Sequence, residues 1–283
     1  MRPYLIKFFS LLSVTLLLGA CSEFQKIQKS ESAEVKYQAA LNYYEKKDWY
    51  KASLLFEELI PVLRGRTEAE KVQFYLANTH FEQGQYITSS HFFRTFIETY
   101  PRSEFVEQAS FLYAKSLYKD SPSHDLDQSS TLQAMSAIQD FLTRYPQSTH
   151  VQEADSMYNQ LAAKVEVKAF ENAKLYYQMR YYQAAVVAFS NFQREYPSSG
   201  FNEEAAFLRL DAQFSLAQGS VPEKQRERYF DAIGFYQYFL DKYPESKFIR
   251  NAENIYGKAV AQVEKLKPAA GATTPKETTT SAQ

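Results

Sequence analysis

Four histidines, one cysteine and a scatter of paired acids are the side chains of this 283-residue chain whose types could do chemistry. Zinc hydrolysis would want two imidazoles one helical turn apart with a glutamate beside the first, as in H-E-x-x-H. His80, His91, His124 and His150 show no such pairing. No glycine-rich phosphate loop is present, and no G-x-S-x-G nucleophile turn. Glu203 and Glu204 fall just after a proline corner, where the positive end of a helix dipole favours negative charge. Cys21 is the only thiol, so no disulfide can form within the chain. The reading is of a non-enzymatic protein with no catalytic residue, no cofactor and no metal, and the informative residues become those that repeat.

One phrase recurs four times. Residues 96–109 read FIETYPRSEFVEQA, and the same F-x3-Y-P-x-S frame returns at 141–154, 192–205 and 239–252, each ending on alanine. Proline lacks the N–H that a continuing helix needs and pushes the tyrosine before it out of the helical region, so a helix must end there. Ser103, Ser148, Ser199 and Ser246 then read as N-caps of the following helix. The prolines at 101, 146, 197 and 244 are 45, 51 and 47 residues apart. Twelve residues before them stand Ser89, Ala134, Ala185 and Ala232; eight before, Phe93, Ile138, Phe189 and Tyr236; five before, Phe96, Phe141, Phe192 and Phe239. Steps of four and three place these on one helical face, with a small residue for close approach and large groups beyond it. A looser first copy has Trp49, Ala52, Phe56 and Leu59, with Pro61 three residues early.

Small residue, aromatic and proline at these spacings, with Gly84-Gln-Tyr86 at a hairpin corner, resemble the tetratricopeptide repeat. The fold class expected is all-α, a tetratricopeptide-like solenoid of about five helical hairpins. That family's unit is about 34 residues. The excess here is expected in longer helices and in two loops, 119–129 and 218–227. Thr67-Glu-Ala-Glu70 reads as a capping box, and a single long helix or two collinear ones is expected over 151–177. By register with the repeat family, Tyr37, Leu41 and Tyr44 of the first unit and Phe74, Asn78 and Phe81 of the second are offered to the concave face as a peptide-binding set. These rings either line that face or pack against the neighbouring unit. The pairs Tyr176-Tyr177 and Tyr181-Tyr182 pose the same choice, one ring of each for the core and one for solvent.

The organisation expected is a signal peptide over 1–20, a lipidated tether over 21–33, the repeat body over 34–266 and a disordered tail over 267–283. Arg2 and Lys7 flank an apolar run too short to span a bilayer, and it ends in Leu18-Gly-Ala-Cys21. This run resembles the lipobox of bacterial lipoproteins, which implies cleavage before Cys21 and lipidation of Cys21 by diacylglycerol and an amine-linked acyl chain. Ser22 follows, where the resemblance implies the outer membrane. The tail, rich in Pro, Ala and Thr, has too little apolar surface to order itself. Losing Arg2 and Lys7 with the signal leaves 30 basic against 33 acidic residues, and nucleic acid is excluded as a partner.

Lipobox, tether, five lengthened hairpin units and F-x3-Y-P-x-S corners together resemble the YfiO family of outer-membrane assembly lipoproteins. The resemblance covers residues 21–266 and is most specific in 145–148, around Asp125 and Asp127, and in 171–197. It implies a subunit of the β-barrel assembly machinery, lipid-anchored in the outer membrane and facing the periplasm. Its C-terminal repeats would bind the barrel subunit's periplasmic domains, and its N-terminal repeats would receive unfolded outer-membrane proteins. A lipid-anchored adaptor for cell-wall synthesis or division is the other reading of the same pattern.

Overall fold

The computed structural model of the chain describes residues 23–267. The signal segment, Cys21 and the tail beyond 267 lie outside the described residues. Two compact units divide the chain, residues 1–164 and 165–283. Each is built from helices alone among the described residues, in tetratricopeptide-like hairpins.

Unit 1 holds α1 (Ala33–Glu45), α2 (Trp49–Val62), α3 (Glu68–Glu82), α4 (Tyr86–Thr99), α5 (Val106–Asp120) and α6 (Ser129–Arg144), each packed on the next. The first helices of successive hairpins also touch, α3 against α5. Helix α7 (Val151–Gln178) begins in unit 1 and ends in unit 2. Unit 2 continues with α8 (Tyr182–Glu195), α9 (Asn202–Gln218), α10 (Pro222–Lys242) and α11 (Ile249–Lys265). Helix α11 packs on both α10 and α9, in the place of a further first helix.

The proline frame does what its chemistry requires. At each corner the tyrosine closes the last helical bond, its N–H reaching the phenylalanine carbonyl at 2.8 to 2.9 Å for Tyr100, Tyr145, Tyr196 and Tyr243. Those tyrosines then leave helical geometry, with φ between −121° and −135°. The serines are not the N-caps expected of them: Phe105, Phe201 and Phe248 hold that position, two residues after Ser103, Ser199 and Ser246. Each Oγ accepts from the N–H two residues on, at 3.0 Å from Phe105, Phe201 and Phe248 and 3.2 Å from His150. The helix itself starts one residue later still, because the serine carbonyl takes the first N–H in a tight three-residue turn. Ser103 and Ser246 also donate to Glu70 and Glu203 of the preceding first helix, the latter at 2.6 Å.

Inside the hairpins the small and aromatic positions are core. Ser89, Ala134, Ala185 and Ala232 are all fully buried, as are Phe93, Ile138 and Phe189. The buried Ser89 hydroxyl is satisfied by the Ala77 carbonyl at 3.0 Å and by Ser116 Oγ at 3.2 Å. A further element repeats across the corner. On α3, α5, α7 and α9 a ring stacks on the residue two after the corner serine that follows: Phe74 on Phe105 at 4.8 Å, Phe111 on His150 at 4.1 Å, Phe170 on Phe201 at 4.7 Å and Phe207 on Phe248 at 4.7 Å. Successive hairpins are therefore clasped ring to ring, each pair contributing about 0.5–1.5 kcal/mol beyond its buried area.

Three expectations change in detail. Thr67 forms no capping box; its backbone is helical and its hydroxyl turns to Glu68, leaving Glu70 to accept from Ser103. The expected loop at 119–129 is present as residues 121–128, pinned by Gln128 donating to the Ser123 and Leu126 carbonyls. The one at 218–227 shrinks to residues 219–221, because Pro222 starts α10 early and the added residues become helix. Within the expected tether, residues 23–28 are helical and docked, with the Phe24 ring edge-on to Tyr43 at 5.6 Å.

Candidate peptide-binding face

The residues offered by register are the first helices' own. In α1, Tyr37, Leu41 and Tyr44 are part-buried and follow one face by steps of four and three. Position 44 has the next first helix for a partner, and Asn78 Nδ2 of α3 donates to the Tyr44 hydroxyl at 2.5 Å. Around that bond lie Trp49 at 5.2 Å, edge-on, and Tyr75 at 4.6 Å from the Tyr44 ring. Burial raises the pKa of the Tyr44 hydroxyl, so it stays a neutral donor through any ordinary pH. The Tyr37 hydroxyl is raised by the same cause, with a smaller addition from Tyr75.

Phe74 is placed differently. It is 3 % exposed and sits among Phe93, Phe96 and Phe105, a core ring and half of a clasp. The reason lies in the corner that follows each hairpin: the one after the second supplies the Phe105 ring, whereas the one after the first, residues 63–68, has no ring to set against Tyr37. Phe81 is part-buried, edge-on to Tyr86 at 5.6 Å, and Lys115 of α5 places its ammonium 5.9 Å from the ring centre. Lys115 in turn pairs with Glu153 at 2.7 Å. The structure thus brings Tyr44 and Asn78 together, keeps Tyr37, Leu41 and Phe81 beside them, and assigns Phe74 to the interior.

Tyr75 is the member that register missed. It lies three residues before Asn78 and so on the same helical face, a signal masked by the more obvious ring next to it.

His80, His91 and His150 each pack against a phenylalanine ring. His80 is buried, stacked on Phe92 with the planes 3° apart, its Nδ1 2.6 Å from Gln85 Oε1. Among the described residues no three of His, Cys, Asp or Glu gather as a metal site. In the tyrosine pairs Tyr176 and Tyr181 are exposed, while Tyr177 and Tyr182 turn inward and meet edge-on at 6.1 Å. Tyr177 also donates to Asp211, and burial followed by that acceptor drives its pKa far above the tyrosine range.

A chain of consecutive helical hairpins belongs by architecture to the class of tetratricopeptide-like repeat proteins. The sequence matches the family described as YfiO, outer membrane lipoprotein, over residues 29–199 and again over 150–262, and the chain belongs to that family. It is also 25 % identical over 263 residues to a protein of Aquifex aeolicus (strain VF5) that is proposed to be the outer membrane protein assembly factor BamD. That alignment takes in 91 % of this chain and 85 % of the relative. No helix among the described residues is long and apolar enough to cross a membrane.

Proposed function

We propose that this chain is a lipid-anchored, non-enzymatic scaffold subunit of the machinery that inserts β-barrel proteins into the outer membrane. Membership of the outer membrane lipoprotein family across residues 29–262 carries the reading. In this role Cys21 is acylated, the body faces the periplasm, unit 2 docks the periplasmic domains of the barrel subunit, and unit 1 receives unfolded outer-membrane proteins. The face on α1 and α3 suits such a client. Tyr37, Tyr44 and Tyr75 offer flat apolar area with polar tips, while Asn78 offers the amide that an extended backbone can pair with.

The test is a two-part capture. Affinity purification of the tagged chain from envelope membranes should co-purify barrel-assembly subunits; recovery of cell-wall synthases in their place would transfer the protein to the rival adaptor role. Photo-crosslinking to an aromatic C-terminal peptide of a barrel protein should fall at least several-fold in Tyr44→Ala with Phe81→Ala, with helicity unchanged. Undiminished crosslinking would remove the site.

A further inference from the structure

Among the described residues of unit 1, six large apolar side chains are exposed: Val35, Tyr50, Val62, Ile87, Leu126 and Leu132. Scattered apolar residues on a surface are ordinary, but four of these share one edge. Tyr50, Ile87 and Leu132 each stand two residues before the small core position of a second helix, Ala52, Ser89 and Ala134. Repetition in one register puts them at equivalent places, beside the corners where first helices pass into second helices. They are 65 %, 70 % and 54 % exposed. Leu126 belongs to the third of those corners, in the loop 121–128. The opposite edge, with the corners that lead from second helices to first, exposes Arg64, Arg66, Arg102 and Arg144.

The first described residues lie at the apolar edge. Phe24 lies on Tyr43, in the last turn of α1, and under the Lys51 ammonium at 5.9 Å, in the first turn of α2. Four residues later Gln28 has climbed α2 to donate to Glu58 at 3.2 Å. Residues 24–28 therefore run away from the first corner, and Phe24 is the end of this segment nearer to it. Cys21 is three residues upstream, a reach of about 10 Å at most. Glu45, Lys46 and Lys47 are exposed at that corner, which with Asp48 carries no net charge to oppose an approach to the membrane surface.

We propose that this edge of unit 1 rests on the bilayer, with Tyr50, Ile87, Leu126 and Leu132 in the interfacial layer and the arginine-bearing edge turned away. The inference rests on the reading that Cys21 carries the lipid. Acyl chains tethered within about 10 Å of Phe24 bring the bilayer surface close to the first corner, and tyrosine and aliphatic side chains partition favourably into the interface. The aromatic face on α1 and α3 would then be held at a fixed height above the membrane.

The test uses the full lipidated chain in vesicles of phosphatidylethanolamine and phosphatidylglycerol. Tyr50→Cys, Ile87→Cys, Leu132→Cys and, as control, Arg102→Cys are labelled singly with an environment-sensitive fluorophore, and quenching by nitroxide-bearing lipid is read. Flotation with quenching at the first three sites and none at 102 is the result expected. Flotation with all four labels equally aqueous overturns the orientation while leaving the anchor in place. Failure to float sinks the anchoring reading, and the orientation with it. Quenching of Trp49, the only tryptophan and a first-corner residue, repeats the measurement without a label; its absence in floated vesicles counts against the proposal.

Discussion

The ring at position 74 and the ring beside it at 75 show how one residue of register decides between stability and binding. Phe74→Ala removes a side chain that touches three other phenylalanines, and its loss should cost about 3–5 kcal/mol in urea unfolding. Tyr75→Ala should cost much less and should weaken peptide crosslinking; the reverse pattern would mean that the face is assigned one residue out. Ionisation is governed at the same scale. Burial first, and the bond to Asp211 second, raise the Tyr177 hydroxyl above its ordinary value of 10.0. A raised folded pKa gives a contribution that is whole below the unfolded value and lost as pH climbs through the folded one. Tyr196, Tyr229, Tyr236 and Tyr243 are raised for the same leading reason. Stability should therefore be flat up to about pH 10 and fall above it, and Tyr177→Phe should remove part of the alkaline slope. An unchanged slope in that variant would show that Tyr177 ionises as freely as in the unfolded chain.

At the scale of the element, the hairpin corners carry a measurable strain. Three residues at equivalent positions in the tight corners from first to second helices take up left-handed backbone: Gly84 at φ +74°, but Lys47 at +60° and Arg180 at +62°. A residue with a Cβ pays about 1–2 kcal/mol there, against which glycine's extra unfolded freedom costs about 0.5–1 kcal/mol. Arg180→Gly should thus raise the unfolding free energy by up to about 1 kcal/mol, and Gly84→Ala should lower it by a similar amount, although nothing crowds its added methyl. Equal effects of the same sign would refute the account. Ala185→Trp is a harsher case: the position is fully buried in the core of unit 2, and overpacking should cost about 1–3 kcal/mol or more, seen as a lower melting temperature.

The elements themselves were legible in the sequence because proline and hydrophobic period act locally. The four tyrosine–proline corners and the small and aromatic faces stand where they were expected, and the stretch 151–177 forms one helix, Val151–Gln178. Less legible were features that depend on a partner brought near by folding. Glu70 looked like the reciprocal half of a cap on Thr67, but the serine 33 residues on reaches it instead. Likewise the ring clasps have no mark in a single repeat, since Phe105 or Phe201 reads as an ordinary apolar residue until the neighbouring first helix supplies Phe74 or Phe170. Of the binding face, Tyr44 and Asn78 were found as separate positions; their mutual bond, and Tyr75 between them, required the stacking of α1 on α3 to be seen.

At the scale of the whole molecule, the prediction concerns what the lipid and the repeat body do together. If the chain works as a scaffold, its body and its attachment are separable requirements. Depletion should lower the level of folded barrel proteins in the outer membrane, and re-expression of the native chain should restore it. Cys21→Ser removes the acceptor of the proposed lipid without touching any described residue, so the repeat body should fold and melt as before. Restoration should then be partial, because an unanchored body is diluted through the periplasm in place of being held at high effective concentration beside the membrane. Tyr44→Ala with Phe81→Ala should show the converse defect, with normal membrane attachment and poor restoration. A Cys21→Ser chain that restores barrel levels fully would show that docking to partner proteins alone holds the body in place. A depletion that leaves barrel levels untouched would remove the scaffold from this machinery altogether.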